Sequence, residues 1–134
     1  MTALKEIEGI GDSYADKLKA VGVKSIEALL TKGSTPKGRE DLAETSGISE
    51  KLILEWVNRA DLMRVRGVGS EYADLLEAAG VDSCVELGRR SAANLHAAMA
   101  EVNAAKKLVR QLPSSAMVAG WVEHAKTLER AVSH

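Results

Sequence analysis

The sequence is poor in the residues that fix a fold or a site by bonds or metal ions. Cys84 is the one cysteine among 134 residues, so the chain cannot form an internal disulfide. The three histidines, His96, His124 and His134, have no cysteine or histidine neighbour at metal-ligand spacing. We therefore expect neither a metal site nor a cofactor.

Long apolar runs and a strong charge of one sign are missing too. No stretch approaches the roughly 20 consecutive apolar residues that a membrane helix needs, and the opening residues MTALKEIEGIG do not resemble a signal peptide. We expect a cytoplasmic protein with no membrane partner. The formal net charge of -1 gives no overall attraction to nucleic acid, so such binding would need a local basic patch.

The sequence also lacks a recognisable catalytic set. It contains no Ser/His/Asp or Cys/His arrangement, no Walker-type loop and no GxGxxG after a strand. The carboxylates are spread along amphipathic segments rather than paired. We therefore expect a protein that is not an enzyme.

What the sequence does contain is an internal repeat. LKEIEGIGDSYADKLKAVGV, which begins at Leu4, matches LMRVRGVGSEYADLLEAAGV, which begins 58 positions later at Leu62. EWVNRA around Trp56 matches GWVEHA around Trp121, 65 positions later, so seven residues are inserted in the second copy. All four aromatic residues, two Tyr and two Trp, fall on paired positions. The repeat divides the chain into two homologous halves, residues 1–60 and residues 61–134.

Each half begins with a pattern that predicts two short helices joined by a tight turn. This Gly-X-Gly turn is Gly9-Ile10-Gly11 in the first half and Gly67-Val68-Gly69 in the second. Glycines suit a turn whose backbone angles are open mainly to residues without a Cβ. After a Gly-Val pair that is typical of a helix end, a further helix is expected from Ser25 to about Leu30 and from Ser83 to about Leu87.

The second hairpin of each half is degenerate. In the first half, LAETSGISEKLILEWV keeps one glycine, Gly47, and places Ser49 as the predicted N-cap of the next helix. In the second half, RQLPSSAMVAGWV has Pro113 in place of Ile48 and has lost the turn glycine. Neither glycine nor proline occurs between Ile48 and Arg66, so one helix is expected to run through the boundary near Ala60.

The pattern hGhGxxxAxxh, present as IEGIGDSYADKL and VRGVGSEYADLL, resembles the helix-hairpin-helix motif. The whole chain also resembles a small family of stand-alone bacterial proteins that contain such tandem hairpins and are catalogued only as a domain of unknown function. The resemblance implies an all-α fold of two tandem helix-hairpin-helix units packed together. Of the four hairpins, two are well preserved and two are degenerate. The resemblance implies no function by itself.

In helix-hairpin-helix proteins that bind DNA, main-chain N–H groups of the turn and of the following helix hold a backbone phosphate. By position, the resemblance assigns phosphate binding in the second half to Gly67, Val68, Gly69 and Ser70, with Arg64 and Arg66 beside them. In the first half, Gly9, Ile10 and Gly11 are weaker candidates. Glu6 and Glu8 precede that turn, and Asp12 follows it directly, where it would cap its own helix and repel a phosphate.

A set of basic residues supplies further weak candidates for phosphate contacts. Between positions 89 and 110 the sequence has five cationic residues and one acidic residue, Glu101, so five minus one gives a local charge of +4. These cations are Arg89, Arg90, Lys106, Lys107 and Arg110. A solvated helix face explains them equally well.

Trp56 and Trp121 also allow two interpretations. Tryptophan is favoured at the centres of interfaces, so both could bind a partner. Their repeat-equivalent positions on apolar stripes favour core packing.

Two functions are compatible with these patterns. The first is a non-catalytic module that binds double-stranded DNA without sequence preference, through phosphate contacts at residues 67–70. The second is a protein-interaction or scaffold module that retains the hairpin fold and binds no nucleic acid. The first is the leading hypothesis, although the near-neutral charge, the acidic first turn and the degenerate last hairpin suggest the second. One continuous basic face that joins Arg64, Arg66 and the cations at 89–110 would favour DNA, whereas an uncovered apolar groove would favour a protein partner.

Overall fold

The computed structural model of the chain describes residues 2–134. These residues form eight α-helices and one short 3-10 helix, with no strand among them, so the all-α prediction is confirmed. They divide into two compact units, residues 2–61 with 131–134 and residues 62–130, which we call unit 1 and unit 2. The sequence did not indicate that the last four residues belong with unit 1.

The helices are assigned to the units as follows. Unit 1 contains the 3-10 helix Leu4–Glu6 and the helices α1 (Asp12–Ala20), α2 (Ile26–Lys32), α3 (Pro36–Ser46) and α4 (Glu50–Leu62, whose last residue is in unit 2). Unit 2 contains α5 (Ser70–Ala78), α6 (Cys84–Gly88), α7 (Ala92–Lys106) and α8 (Ser115–Thr127). In the part of the chain that the structure describes, no helix has the length and apolar character needed to cross a membrane.

Several local predictions are confirmed. The connecting helices after the Gly-Val pairs are α2 and α6, and α4 continues through the predicted boundary at Ala60. The Oγ of Ser49 accepts from the N–H of Leu52 at 3.2 Å, as an N-cap does. Gly22 and Gly80, with φ of +87° and +97°, end α1 and α5 in the left-handed conformation.

The segment before each Gly-X-Gly turn is not the α-helix that we predicted. In unit 1, Leu4, Ile7 and Ile10 are buried at every third position. The N–H of Ile7 bonds the carbonyl of Leu4, and the N–H of Ile10 bonds that of Ile7, both at 3.1 Å. A period of three suits 3-10 turns. Unit 2 repeats the arrangement at Leu62, Val65 and Val68.

The net insertion of seven residues in the second copy results from length differences at three places, one shorter and two longer than in unit 1. The N-caps of α6 and α7, Ser83 and Ser91, are two residues closer together than those of α2 and α3. α7 has 15 residues where α3 has 11. The segment from the end of α7 to the N-cap of α8 is five residues longer than its counterpart in unit 1. A loss of two and gains of four and five account for the seven.

Each unit buries one of the two tryptophans, which confirms their prediction as core residues. Trp56 is 1% exposed in unit 1 and Trp121 is 3% exposed in unit 2. In unit 2, α8 packs on α6 and α7. Its core also contains fully buried leucines of α5, α6 and α7.

Candidate functional site

Each Gly-X-Gly turn lies next to an aromatic pair. The ring centroids of Tyr72 and Trp121 are 5.1 Å apart in unit 2, and those of Tyr14 and Trp56 are 5.0 Å apart in unit 1. A Cβ at Gly67 would lie 3.1 Å from the Nε1 of Trp121. Gly67 also has a φ of +90°, so both the backbone and the indole require glycine. This contact explains why the four aromatic residues occupy repeat positions.

A side chain one helical turn after each tryptophan holds the residue that precedes the turn. In unit 1, Nη1 of Arg59 donates to the carbonyl of Glu8 at 2.6 Å. In unit 2, the main-chain N–H of Arg66 donates a hydrogen bond to Nδ1 of His124 at 3.0 Å. The two units anchor the same point of the turn with opposite hydrogen-bond roles.

The helices that follow the turns begin differently from the others. Among residues 2–134, six of the eight α-helices have a Ser or Thr N-cap whose side chain accepts from the third N–H of the helix. α1 and α5 instead have Gly11 and Gly69 at the N-cap, without a side-chain hydrogen bond. A Cβ at either glycine would meet nothing within 4 Å. Packing within the units therefore does not require glycine at these two positions.

The charges around the two turns are opposite. In unit 1, Asp12 begins α1 and its Oδ1 lies 2.6 Å from Nζ of Lys5. This hydrogen bond lowers the pKa of Asp12 and raises the pKa of Lys5. In unit 2, Ser70 takes the position of Asp12, and the exposed Arg66 takes that of Glu8. The carboxylates of the first turn therefore lie beside two cations, Lys5 and Arg59, whereas the second turn has an arginine in place of a glutamate and a serine in place of an aspartate.

Arg64 is placed differently from Arg66. Its side chain is half-buried, and Nη2 donates to the carbonyl of Glu129 at 2.9 Å. This bond ties Arg64 to the segment after α8. Of the two predicted arginines, Arg66 is the one with an exposed side chain next to the turn.

The basic residues predicted as one set fall into two groups. Arg89 and Arg90 precede α7, whereas Lys106 and Lys107 end it, and its 15 residues span about 22 Å. Arg90 lies 3.7 Å from a carboxylate oxygen of Glu86 on α6. The local charge of +4 is therefore not concentrated at one place on unit 2.

Both units match a single family. The family is described as a domain of unknown function (DUF4332), and its match covers residues 8–128. The chain belongs to this family. The matched range in this DUF4332 protein includes both Gly-X-Gly turns and both buried tryptophans. No curated protein and no solved structure matches the chain.

The second basic group of this DUF4332 protein lies beside α5. Lys107 and Arg110 line a cleft of about 630 Å³ together with Asn103 of α7 and Glu71, the second residue of α5. The hydroxyl of Tyr72 donates to the carbonyl of Gln111 at 3.3 Å, which attaches the longer segment after α7 to α5. Sequence reasoning missed this juxtaposition, although the insertion marked the segment that makes it.

A second pocket, of about 420 Å³, lies beside the turn. It is lined by Arg66, Gly67, Met117, Gly120, Trp121 and His124. Met117 is 40% exposed, the highest value for a large apolar side chain among the described residues. The equivalent positions of Gly120 and His124 in unit 1 hold Glu55 and Arg59, which are longer. Neither Met117 nor Gly120 belongs to a motif in the sequence that would mark it as part of a site.

Proposed function

We propose that this protein is a non-catalytic module that binds double-stranded DNA without sequence preference, through a helix-hairpin-helix motif whose contacts are residues 67–70. The observation that carries the proposal is the glycine N-cap of α5. It supplies no acceptor to the first-turn N–H groups, and it lies in an exposed turn beside Arg66. Main-chain N–H groups at a helix start favour a phosphate as their acceptor.

The electrostatics of the turn support the same ligand. The N-terminus of a helix has a partial charge of about +0.5, and Arg66 adds a full positive charge next to it. Arg66 forms no ion pair with any residue from 2 to 134, so its charge is not compensated at the surface. Phosphate contacts carry no sequence information, hence the absence of sequence preference.

Unit 1 contributes less to this function. Its turn has the same backbone, but Glu8 stands where unit 2 has Arg66 and Asp12 stands where unit 2 has Ser70, so it lacks the uncompensated cation beside the helix start. We therefore assign the DNA contact to unit 2 alone.

The test is Gly69→Ser, measured by fluorescence anisotropy with a labelled duplex of about two helical turns. A serine N-cap would bond the first-turn N–H groups itself, as in the six other helices, and would stabilise α5 slightly. Losing one charge-assisted hydrogen bond of about 1.5 kcal/mol should weaken DNA binding roughly tenfold. The variant therefore separates loss of binding from loss of folding.

Two matched controls sharpen this test. Gly11→Ser makes the same change at the start of α1, where φ is also close to -90°, and should leave DNA binding unchanged. Arg66→Glu should weaken binding strongly at low salt, whereas Lys24→Glu, an equal change of charge on unit 1, should have a small effect. An unchanged affinity for Gly69→Ser, or no binding by the native chain even at low salt, would contradict the proposal.

One observation favours the alternative, a protein-interaction module. Gly120 lies inside α8, where glycine costs about 1 kcal/mol relative to alanine, and a Cβ there would meet nothing within 4 Å. The pocket that it leaves open beside Met117 fits an apolar side chain of a partner protein. A peptide selected for binding to the chain should lose affinity for Gly120→Leu, which fills the pocket. Retained affinity would place the partner elsewhere.

A further inference from the structure

We infer that the segment after α7 provides a second phosphate contact, made by Lys107 and Arg110, on the same DNA strand that the turn at residues 67–70 holds. The inference rests on the proposed DNA function. It assigns to unit 2 a two-point contact that unit 1 lacks.

The backbone of Lys107 is the first observation. Lys107 has φ +53° and ψ +46°, and it is the one residue other than glycine with a positive φ among residues 2–134. Unit 1 places Gly47, with a φ of +78°, at the same point, directly after α3. A side chain with a Cβ is strained in this conformation, so lysine costs stability where its counterpart does not.

The fold makes no use of the Lys107 side chain. The main-chain N–H of Lys107 bonds the carbonyl of Asn103 at 2.8 Å and so ends α7. The side chain is exposed and forms no hydrogen bond or ion pair with any residue that the structure describes. The helix end needs the left-handed conformation, and glycine would supply it at lower cost. A ligand outside the fold accounts for the lysine.

The segment that carries Arg110 is held in place. The side-chain amide of Asn103 donates to the carbonyl of Val109 at 3.2 Å and accepts from its N–H at 3.0 Å. Val109 is 7% exposed and belongs to the core of unit 2. Arg110 thus follows an anchored residue, which lowers the entropic cost of using it in binding.

The cleft joins this segment to the proposed DNA contact. Lys107 and Arg110 line it together with Glu71, which follows Ser70 at the start of α5. Neither cation forms an ion pair with Glu71 or with any other described carboxylate. Two cations against one carboxylate leave the cleft positive at the point where the turn ends. A phosphodiester chain that leaves the turn therefore meets an attractive surface.

The experiment compares Lys107→Gly with the native chain by anisotropy titration of the labelled duplex at several salt concentrations. Glycine removes the charge and relieves the backbone, so the variant should unfold about 4 °C higher. It should also bind DNA more weakly, and the slope of log affinity against log salt should fall by about 0.9, the value for one phosphate contact. Arg110→Gln should lower the slope by the same amount without the gain in stability.

Lys106→Gln is the matched control, because Lys106 is equally exposed and adjacent but does not line the cleft. An equal loss of affinity for Lys106→Gln and Lys107→Gly would overturn the inference, since general charge would then explain both. If Gly69→Ser weakens DNA binding but Lys107→Gly leaves it unchanged, the inference is overturned and the proposed function stands. Absence of native binding would overturn the proposed function, and this inference with it.

Discussion

Unit 1 and unit 2 differ far more around their turns than beneath them. Below the turns, Trp56 and Trp121 pack against equivalent tyrosines at nearly the same ring distance, 5.0 and 5.1 Å. Around them, Asp12 is replaced by Ser70 and Glu8 by Arg66. Close packing constrains buried residues strongly and solvated ones weakly. The comparison shows how a repeat can keep one architecture while its two copies carry different charged residues at the surface.

A second difference lies inside the units. Arg39 and Leu95 are both the fourth residue after the N-cap of their helices, and both are buried, at 5% and 0% exposure. Arg39 donates to the carbonyls of Gly33 and Ser133, each at 2.8 Å, and burial lowers its pKa. Ser133 lies in the C-terminal segment that belongs to unit 1. That segment supplies one of the two acceptors that make a buried guanidinium tolerable.

The largest effect is expected where the units are most alike. Trp56→Ala and Trp121→Ala should each lower the free energy of unfolding by about 3–5 kcal/mol, because each removes a buried indole from the core. Denaturation followed by circular dichroism measures the loss. Trp→Phe at the same positions should lower the free energy of unfolding by a smaller amount. A loss below about 1 kcal/mol in either unit would break the equivalence of the two aromatic pairs.

Arg39→Ala tests the buried arginine of unit 1, whose position in unit 2 is occupied by Leu95. It removes two charge-assisted hydrogen bonds but also relieves a buried charge, so we expect a net loss of about 2 kcal/mol. Hydrogen exchange at the amide of Ser133, which bonds the carbonyl of Ser34, should become faster. Lys37→Ala, a change at an exposed cation of the same helix, is the control and should have little effect on either measurement. Unchanged exchange at Ser133 would show that Arg39 does not hold the segment.

Gly47→Lys gives unit 1 the residue that unit 2 has at the left-handed end of its helix. Because a Cβ at Gly47 would meet nothing within 4 Å, the backbone alone should set the cost, at about 1 kcal/mol. Thermal unfolding of Gly47→Lys, compared with that of the native chain, measures this cost. Equal stability of Gly47→Lys and the native chain would remove the argument that Lys107 is strained.

The smallest effect concerns the ion pair between Lys5 and Asp12, since both side chains are exposed. The folded pKa of Asp12 lies below its ordinary value of 3.8, so the pair contributes above that value and is lost as pH falls through the folded pKa. The pKa of Lys5 is raised, so the contribution is also lost as pH rises above 10.5 through the folded value. In thermal unfolding, Asp12→Asn should slightly reduce the loss of stability at both low and high pH. Ser70→Ala in unit 2 should change neither. Identical pH profiles for Asp12→Asn and the native chain would show that the pair adds no stability.

Local signals in the sequence predicted much of the architecture. Ser25, Ser83 and Ser49 were recognised as starts of helices because an N-cap depends on a hydrogen bond within three residues. The glycines after α1 and α5 were recognised as helix ends for a similar reason. The spacing of three at Leu4, Ile7 and Ile10 is also present in the sequence, but so short a pattern does not distinguish 3-10 turns from an α-helix.

The sequence by itself therefore determined the helices, their caps and the repeat, because these depend on neighbours along the chain. Only the tertiary structure decided which charges lie together. It separated Arg89 from Lys107 by the length of α7, brought Lys107 and Arg110 to the start of α5, and placed Ser133 on Arg39. These contacts join residues far apart in the chain, and their positions depend on how whole helices pack.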